Sequence, residues 1–342
     1  MILRGEDLRS RPLRVVFFGS PDYACPALRA LHADGSFRVT LAVTQPDKPA
    51  GRGRRLQAPA VKRAAEELGL PVFQPDGLRD AETRHRLIAE DADLFIVAAY
   101  GVIFGPKALA IPRFGCLNLH ASILPKYRGA SPIPAAILEG DEETGVSLMV
   151  MASGIDTGSV IAVERTPIGP EDTTESLTSR LGELGAGLAV AAIPAYVTGA
   201  AMAIPQPGIG ASLVRQLVKA DGWIDWARAA PEVDRHVRAM WPWPRAFTTI
   251  SGDVTVQIHR TTVRGDGTVG RPGTIGGAEG SLIVSCGSGA LSIELAQLPG
   301  RRPVGGGELL RAGRVRDGEV LGAGAAPEAS TPIVRAVDAL PG

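Results

Sequence analysis

Five histidines stand among 342 residues, and one of them sits where chemistry could be done. His120 lies two positions after Asn118 in the run Cys116-Leu-Asn-Leu-His-Ala-Ser122. In an extended strand, side chains alternate between faces. Asn118 and His120 therefore point one way, and Leu117, Leu119 and Ala121 the other. Two polar groups on one face of an otherwise apolar strand, at its carboxyl end, need a reason to be there. A hydrogen-bonded core pair is the plainer account of an isolated Asn-x-His. The segment that follows has the residue types of a binding loop: Ser122, Ile123, Leu124, Pro125, Tyr127, Arg128 and Gly129.

Two further segments carry polar groups of interest. Asp156 is flanked by glycines in Ser153-Gly-Ile-Asp-Thr-Gly158, a tight loop able to bring a carboxylate against another group. A turn capped by its own aspartate would read the same way. The stretch 48–63 holds Lys48, Arg52, Arg54, Arg55, Lys62 and Arg63 with no acid. A solvated basic loop is the usual meaning of such a run, and contact with a phosphate backbone is the sharper one. Its Gly-x-Gly lacks the third glycine and the acid of a dinucleotide fingerprint, and Pro207-Gly-Ile-Gly210 is no better. All four tryptophans (223, 226, 241 and 243) fall close together and read as aromatic packing.

These residues need elements to hold them. Apolar runs at 14–19, 38–43, 71–74, 93–98 and 115–120 read as strands, with helical segments near 22–31, 58–68 and 79–90 between them. That alternation predicts an α/β fold, doubly wound and mostly parallel, with sites at the carboxyl ends of the strands. Strands near 145–151 and 159–165 and a long helix over 173–197 complete the first domain. We expect an N-terminal extension at 1–13, a catalytic domain at 14–199, a linker at 200–210, a β-barrel-like domain at 211–320, and a tail without fixed structure at 321–342.

Composition sets outer bounds. Hydrophobic residues at 45% and charged residues at 21% exclude a largely disordered chain. The formal net charge is zero, yet residues 1–63 carry 12 basic and 5 acidic side chains, while 64–200 carry 9 and 18. Three scattered cysteines form neither a disulfide framework nor a metal motif. The apolar run 94–104 is too short to cross a bilayer, and the N-terminus has no signal-peptide pattern. A cytoplasmic monomer with no metal and no membrane association is the expectation.

Taken in order, the motifs resemble the methionyl-tRNA formyltransferase family from about residue 14 to 316. They are Phe18-Gly-Ser-Pro-Asp-Tyr-Ala, Thr44-Gln-Pro-Asp-Lys-Pro-Ala-Gly-Arg-Gly, Ala99-Tyr-Gly, Asn118-Leu-His-Ala-Ser-Ile-Leu-Pro, Tyr127-Arg-Gly-Ala-Ser-Pro-Ile, Gly154-Ile-Asp-Thr-Gly, Ile224-Asp-Trp and Trp243-Pro. The resemblance implies a C-terminal barrel similar to an OB-fold. It implies transfer of a formyl group from 10-formyltetrahydrofolate to the amine of methionyl initiator tRNA. By that resemblance Asn118 and His120 donate to an oxyanion. Asp156 holds the His120 tautomer and favours its charged form, or orders a proton-shuttling water. Ser122, Ile123, Leu124 and Pro125 match the folate-binding loop, and Tyr100, Gly101 and Ile103 line the pterin pocket. Lys48, Arg52, Arg54, Arg55 and Lys62 meet the tRNA. The substrate amine is the nucleophile, so neither a Ser or Cys nucleophile nor a metal is required. Departures are Tyr23 for the usual Phe, Ile123 for Leu, and a C-terminal part of only +2. Relatives of the same module act on amino-sugar nucleotides, and a non-catalytic folate- or tRNA-binding module is the alternative from another class.

Overall fold

The computed structural model describes residues 11–50, 55–250, 254–265, 270–278, 280–323, 327 and 331–337. Strand β1 (Leu13–Gly19) is buried almost throughout, as its unbroken apolar run requires of a strand covered on both faces. A short 3₁₀ turn leads into α1 (Cys25–Ala33), and β2 (Phe37–Val43) returns parallel to β1. A hairpin of β3 (Lys48–Ala50) and β4 (Arg55–Gln57) follows, then α2 (Ala60–Glu67), β5 (Val72–Phe73), α3 (Ala81–Ile88) and β6 (Leu94–Ala98). After α4 (Pro106–Leu109) come β7 (Cys116–His120), the short β8 (Arg128–Gly129) and α5 (Pro132–Glu139). The first domain ends with β9 (Glu143–Val150), β10 (Val160–Pro167) and α6 (Thr174–Thr198).

The main sheet runs β10-β9-β7-β6-β1-β2-β5, with β7, β6, β1, β2 and β5 parallel and β9 and β10 antiparallel. The chain winds outward from β1 to β2 and β5, then returns to place β6 on the other side of β1. That reversal opens a crevice at the carboxyl ends, the customary ligand site of such sheets. Alternation divides the core cleanly. Phe17, Ile96, Leu117, Leu119 and Ala121 join one apolar cluster, and Val16, Phe18, Phe95, Val97 and Cys116 the other.

Helix α6 is long and apolar enough to cross a membrane by length and composition alone, a feature the sequence reading passed over. In this fold Leu177, Leu181, Leu188, Ile193 and Val197 are part of the first cluster, and the helix packs on α1 and β9. Thr173 and Ser176 cap its start reciprocally, and Gly199 ends it in the left-handed region.

The second domain contains β11 (Ser212–Val214), α7 (Ala230–Ala239), β12 (Ala246–Ile250), β13 (Val254–Arg264), β14 (Ile275–Ala278), β15 (Ser281–Ser285), β16 (Ala290–Gln297) and α8 (Gly306–Arg311). Its five-stranded antiparallel sheet has the order β12-β13-β16-β15-β14. The α/β-then-β class is as the sequence indicates. Helices α5 and α7 are not anticipated there. Pro132 opens α5, where a missing N–H costs nothing. Ala230, Val233 and Val237, buried at i, i+3 and i+7, are the periodic signal in α7.

The expected unstructured tail is corrected over part of its length. β17 (Val334–Ala336) pairs antiparallel with β11, which itself pairs parallel with β8. The tryptophans mostly pack as expected: Trp226 donates to Thr248 Oγ1 at 3.1 Å and Trp241 to Glu175 Oε2 at 3.0 Å, while Trp243 is exposed.

Candidate active site

β7 delivers Asn118 and His120 to the same face, as a period of two demands. His120 is buried, whereas Asn118 is the one residue of the strand open toward solvent. Asp156 meets both. Asn118 Nδ2 donates to Asp156 Oδ1 at 3.3 Å, and His120 Nδ1 lies 3.5 Å from Asp156 Oδ2. The second distance is long for a hydrogen bond, and the contact is an ion pair only when the ring is protonated. Oδ2 is held instead by the Gly129 N–H at 2.8 Å.

The turn that carries Asp156 joins β9 to β10 and depends on its glycines. A Cβ on Gly158 would fall 1.7 Å from the Val150 carbonyl oxygen, so no other residue fits there without moving the strand end. Asp156 itself has φ of +49°, a conformation that aspartate tolerates better than most residues.

A backbone carbonyl fixes the histidine. His120 Nε2 lies 2.8 Å from the Tyr127 oxygen, and because a carbonyl only accepts, Nε2 carries the hydrogen. Nδ1 is left facing Asp156. The Tyr127 carbonyl thus sets which ring nitrogen carries the hydrogen. This residue has φ of +60°, its N–H donates to Ser212 Oγ, and its hydroxyl donates to Asp141. Burial drives the Tyr127 hydroxyl pKa far upward, so it stays neutral.

The loop after His120 is tied from below. Ser147, fully buried on β9, donates to the Ser122 carbonyl at 2.7 Å and accepts from Leu124 N–H at 3.1 Å. Ser122 Oγ donates to the Lys126 carbonyl at 2.6 Å. Leu124 is buried, with Ile123 and Pro125 partly so. The predicted folate loop is thus a preformed turn at the crevice edge. At the end of β6, the Tyr100 ring turns into the core against Phe18 and Phe104. Burial pushes its hydroxyl pKa up to about 12, which removes it from proton transfer at neutral pH. Its carbonyl accepts from Gln45 Nε2 at 2.7 Å, Gly101 follows at φ +76°, and Ile103 is exposed.

The basic residues divide. Lys48 Nζ donates to Gln45 Oε1 at 2.6 Å. Lys62 is engaged by Asp47, at 2.9 and 3.0 Å to its two oxygens. Gln74 and then Lys62 hold the Asp47 pKa below its ordinary value. The segment 51–54, with Arg52 and Arg54, lies outside the described residues, and of Arg55 only the backbone, in β4, is described. The flanks of the expected flexible loop form an antiparallel ladder, Lys48 opposite Gln57 and Ala50 opposite Arg55.

Sequence reasoning missed Ser147, a polar residue in a buried strand and so a detectable irregularity.

The chain matches the family described as Formyl transferase over residues 13–193 and its C-terminal domain over residues 216–314. A methionyl-tRNA formyltransferase of Cereibacter sphaeroides is 44% identical over 299 residues, 87% of this chain and 96% of that one. One from Stutzerimonas stutzeri is 43% identical over 316 residues, 92% and 99% of the two chains. Among solved structures, an N-formyltransferase of Helicobacter canadensis, in complex with folinic acid and dTDP-3-aminofucose, aligns at TM-score 0.62 and 18% identity, covering 84% of this chain and 99% of that one. HypX of Aquifex aeolicus, in complex with tetrahydrofolic acid, aligns at 0.58 and 15%, covering 94% and 50%. At those identities the structural likenesses speak for the fold alone, while the sequence relatives agree over both domains and nearly their full length: the chain belongs to the methionyl-tRNA formyltransferase family.

Proposed function

We propose that this chain transfers the formyl group of 10-formyltetrahydrofolate to the α-amino group of methionyl initiator tRNA, in the cytoplasm. The observation that carries the reading is Asp156 bridging Asn118 and His120 at the crevice of a sheet whose chain matches a methionyl-tRNA formyltransferase over 92% of its length. The amine nitrogen attacks the formyl carbon, and the formyl oxygen takes up negative charge. Asn118 has two amide hydrogens; one reaches Asp156, and the other is available to that oxygen. With Nε2 held by Tyr127, His120 uses Nδ1 as the nitrogen that takes or gives a proton, beside the Asp156 carboxylate. Collapse of the intermediate breaks the bond to folate N10, which receives the proton the amine loses. The turn at residues 122–125 and the backbone at 100–103, which follow the carboxyl ends of β7 and β6, suit the folate.

The reading is tested with purified chain, 10-formyltetrahydrofolate and charged initiator tRNA. Formylated methionyl-tRNA is expected. Product with an amino-sugar nucleotide and none with charged tRNA would overturn it.

A further inference from the structure

Between α6 and β11 the chain runs exposed at residues 207–210 and at Ile204, yet Gln206 is half-buried. Its side chain uses its full hydrogen-bonding capacity. Oε1 accepts from Arg128 Nε at 3.0 Å and Arg128 Nη2 at 2.8 Å. Nε2 donates to the Asp156 carbonyl at 2.8 Å and the Gly158 carbonyl at 2.7 Å. A guanidinium only donates and a carbonyl only accepts, so the amide has one possible orientation.

The four partners have one thing in common: each belongs to, or adjoins, a group that aims the Asp156 carboxylate. Two are backbone oxygens of the turn that holds Asp156 at φ +49°. The other two belong to Arg128, whose neighbour Gly129 gives its N–H to Asp156 Oδ2. Gln206 thus joins the backbone that carries the carboxylate to the strand that receives it. We propose that Gln206 is a positioning residue for formyl transfer, a clasp that sets Asp156 against Asn118 and His120. The proposal rests on the formyl-transfer reading. It makes no use of contact between Gln206 and substrate.

The test uses the full chain with charged tRNA and 10-formyltetrahydrofolate. Gln206→Met removes both halves of the clasp. It is expected to lower kcat about 10- to 100-fold, the usual scale for misplacing a reacting group by about 1 Å, with KM for both substrates within about twofold and the thermal unfolding midpoint retained. Gln206→Glu still accepts from Arg128 but cannot donate to the two carbonyls, so it should fare no better. In an Asp156→Asn background the Gln206→Met loss should shrink to less than about threefold, because the clasp acts through Asp156. Unmodified kcat in Gln206→Glu, full additivity with Asp156→Asn, or raised KM at intact kcat would each overturn the proposal. Exchange of the Gly129 amide, measured without substrate, separates this idea from its parent. Faster exchange in Gln206→Met supports the clasp even if the unmodified chain transfers no formyl group, and that inactivity would count against the parent reading alone. Unchanged exchange counts against the clasp.

Discussion

Asp156 accepts at Oδ1 from a side chain of β7 and at Oδ2 from the backbone of β8, so one carboxylate orients groups from two elements. Asn118 is the member whose contribution is most separable. It is partly exposed, and its one bond to Asp156 is 3.3 Å long, so removing it leaves little of the fold unsupported. Asn118→Ala should lower kcat by about 10²–10³, as loss of a transition-state donor does, with the unfolding midpoint unchanged. A kcat within tenfold of the unmodified chain would remove Asn118 from the chemistry. Alternation put both β7 residues on one face and the flanking glycines singled out Asp156, but only the order of the motifs gave these residues a role. The Tyr127 carbonyl was not legible, because a backbone acceptor carries no residue-type signature.

The three-stranded sheet β17-β11-β8 connects the far end of the chain to the loop that holds His120. Val337 N–H donates to the Ala211 carbonyl, and Arg215 binds the Thr331 carbonyl through two nitrogens. A chain ending at residue 330 lacks β17 and leaves β11 as an edge strand supported only by β8. Amide exchange at Tyr127 and Gly129 should then accelerate about tenfold or more, read by mass spectrometry. Unchanged protection there would show that β11 and β8 stand without the tail. Composition hid this strand: residues 322–332 are mostly Gly, Ala and Pro, and the three that pair are too few for a periodic signal. The inner strands of the main sheet were legible because a strand covered on both faces must be apolar throughout.

For the whole molecule, a zero net charge conceals a basic N-terminal block. Replacing Arg52, Arg54 and Arg55 by Ala should raise the KM for tRNA and flatten its salt dependence. Lys62→Ala should do neither to a similar degree, because Asp47 already meets that charge. Equal effects of the two changes would return Lys62 to the tRNA surface. Acid sensitivity also belongs to this scale. Burial pushes the His236 pKa down to about 4, outweighing the Gly222 carbonyl and nearby Asp221 and Asp225, with Arg228 adding to the depression. Above about pH 6.5 neither the folded nor the unfolded form carries that proton. Below it the unfolded chain takes one up and the folded chain does not until near 4, so stability falls across that window. His236→Gln should reduce this fall in the urea midpoint between pH 6.5 and 4. A pH dependence identical to that of the unmodified chain would place the acid sensitivity elsewhere.

By itself the sequence determined the α/β-then-β order, the strands of the main sheet, the shared face of Asn118 and His120, and the family. All of these rest on short-range regularities: a period of two, unbroken apolar runs, and motifs in a set order. The tertiary structure decided which groups meet. Asp156 is 36 residues from His120 in number and Gln206 is 50 from Asp156, yet they lie within hydrogen-bonding or ion-pair range. Such contacts follow from how sheet and linker close on each other, which residue type and local spacing do not encode. For the same reason Lys62, one more cation in the sequence, became the partner of Asp47, and part of an apparently formless tail became a strand beside the active-site loop.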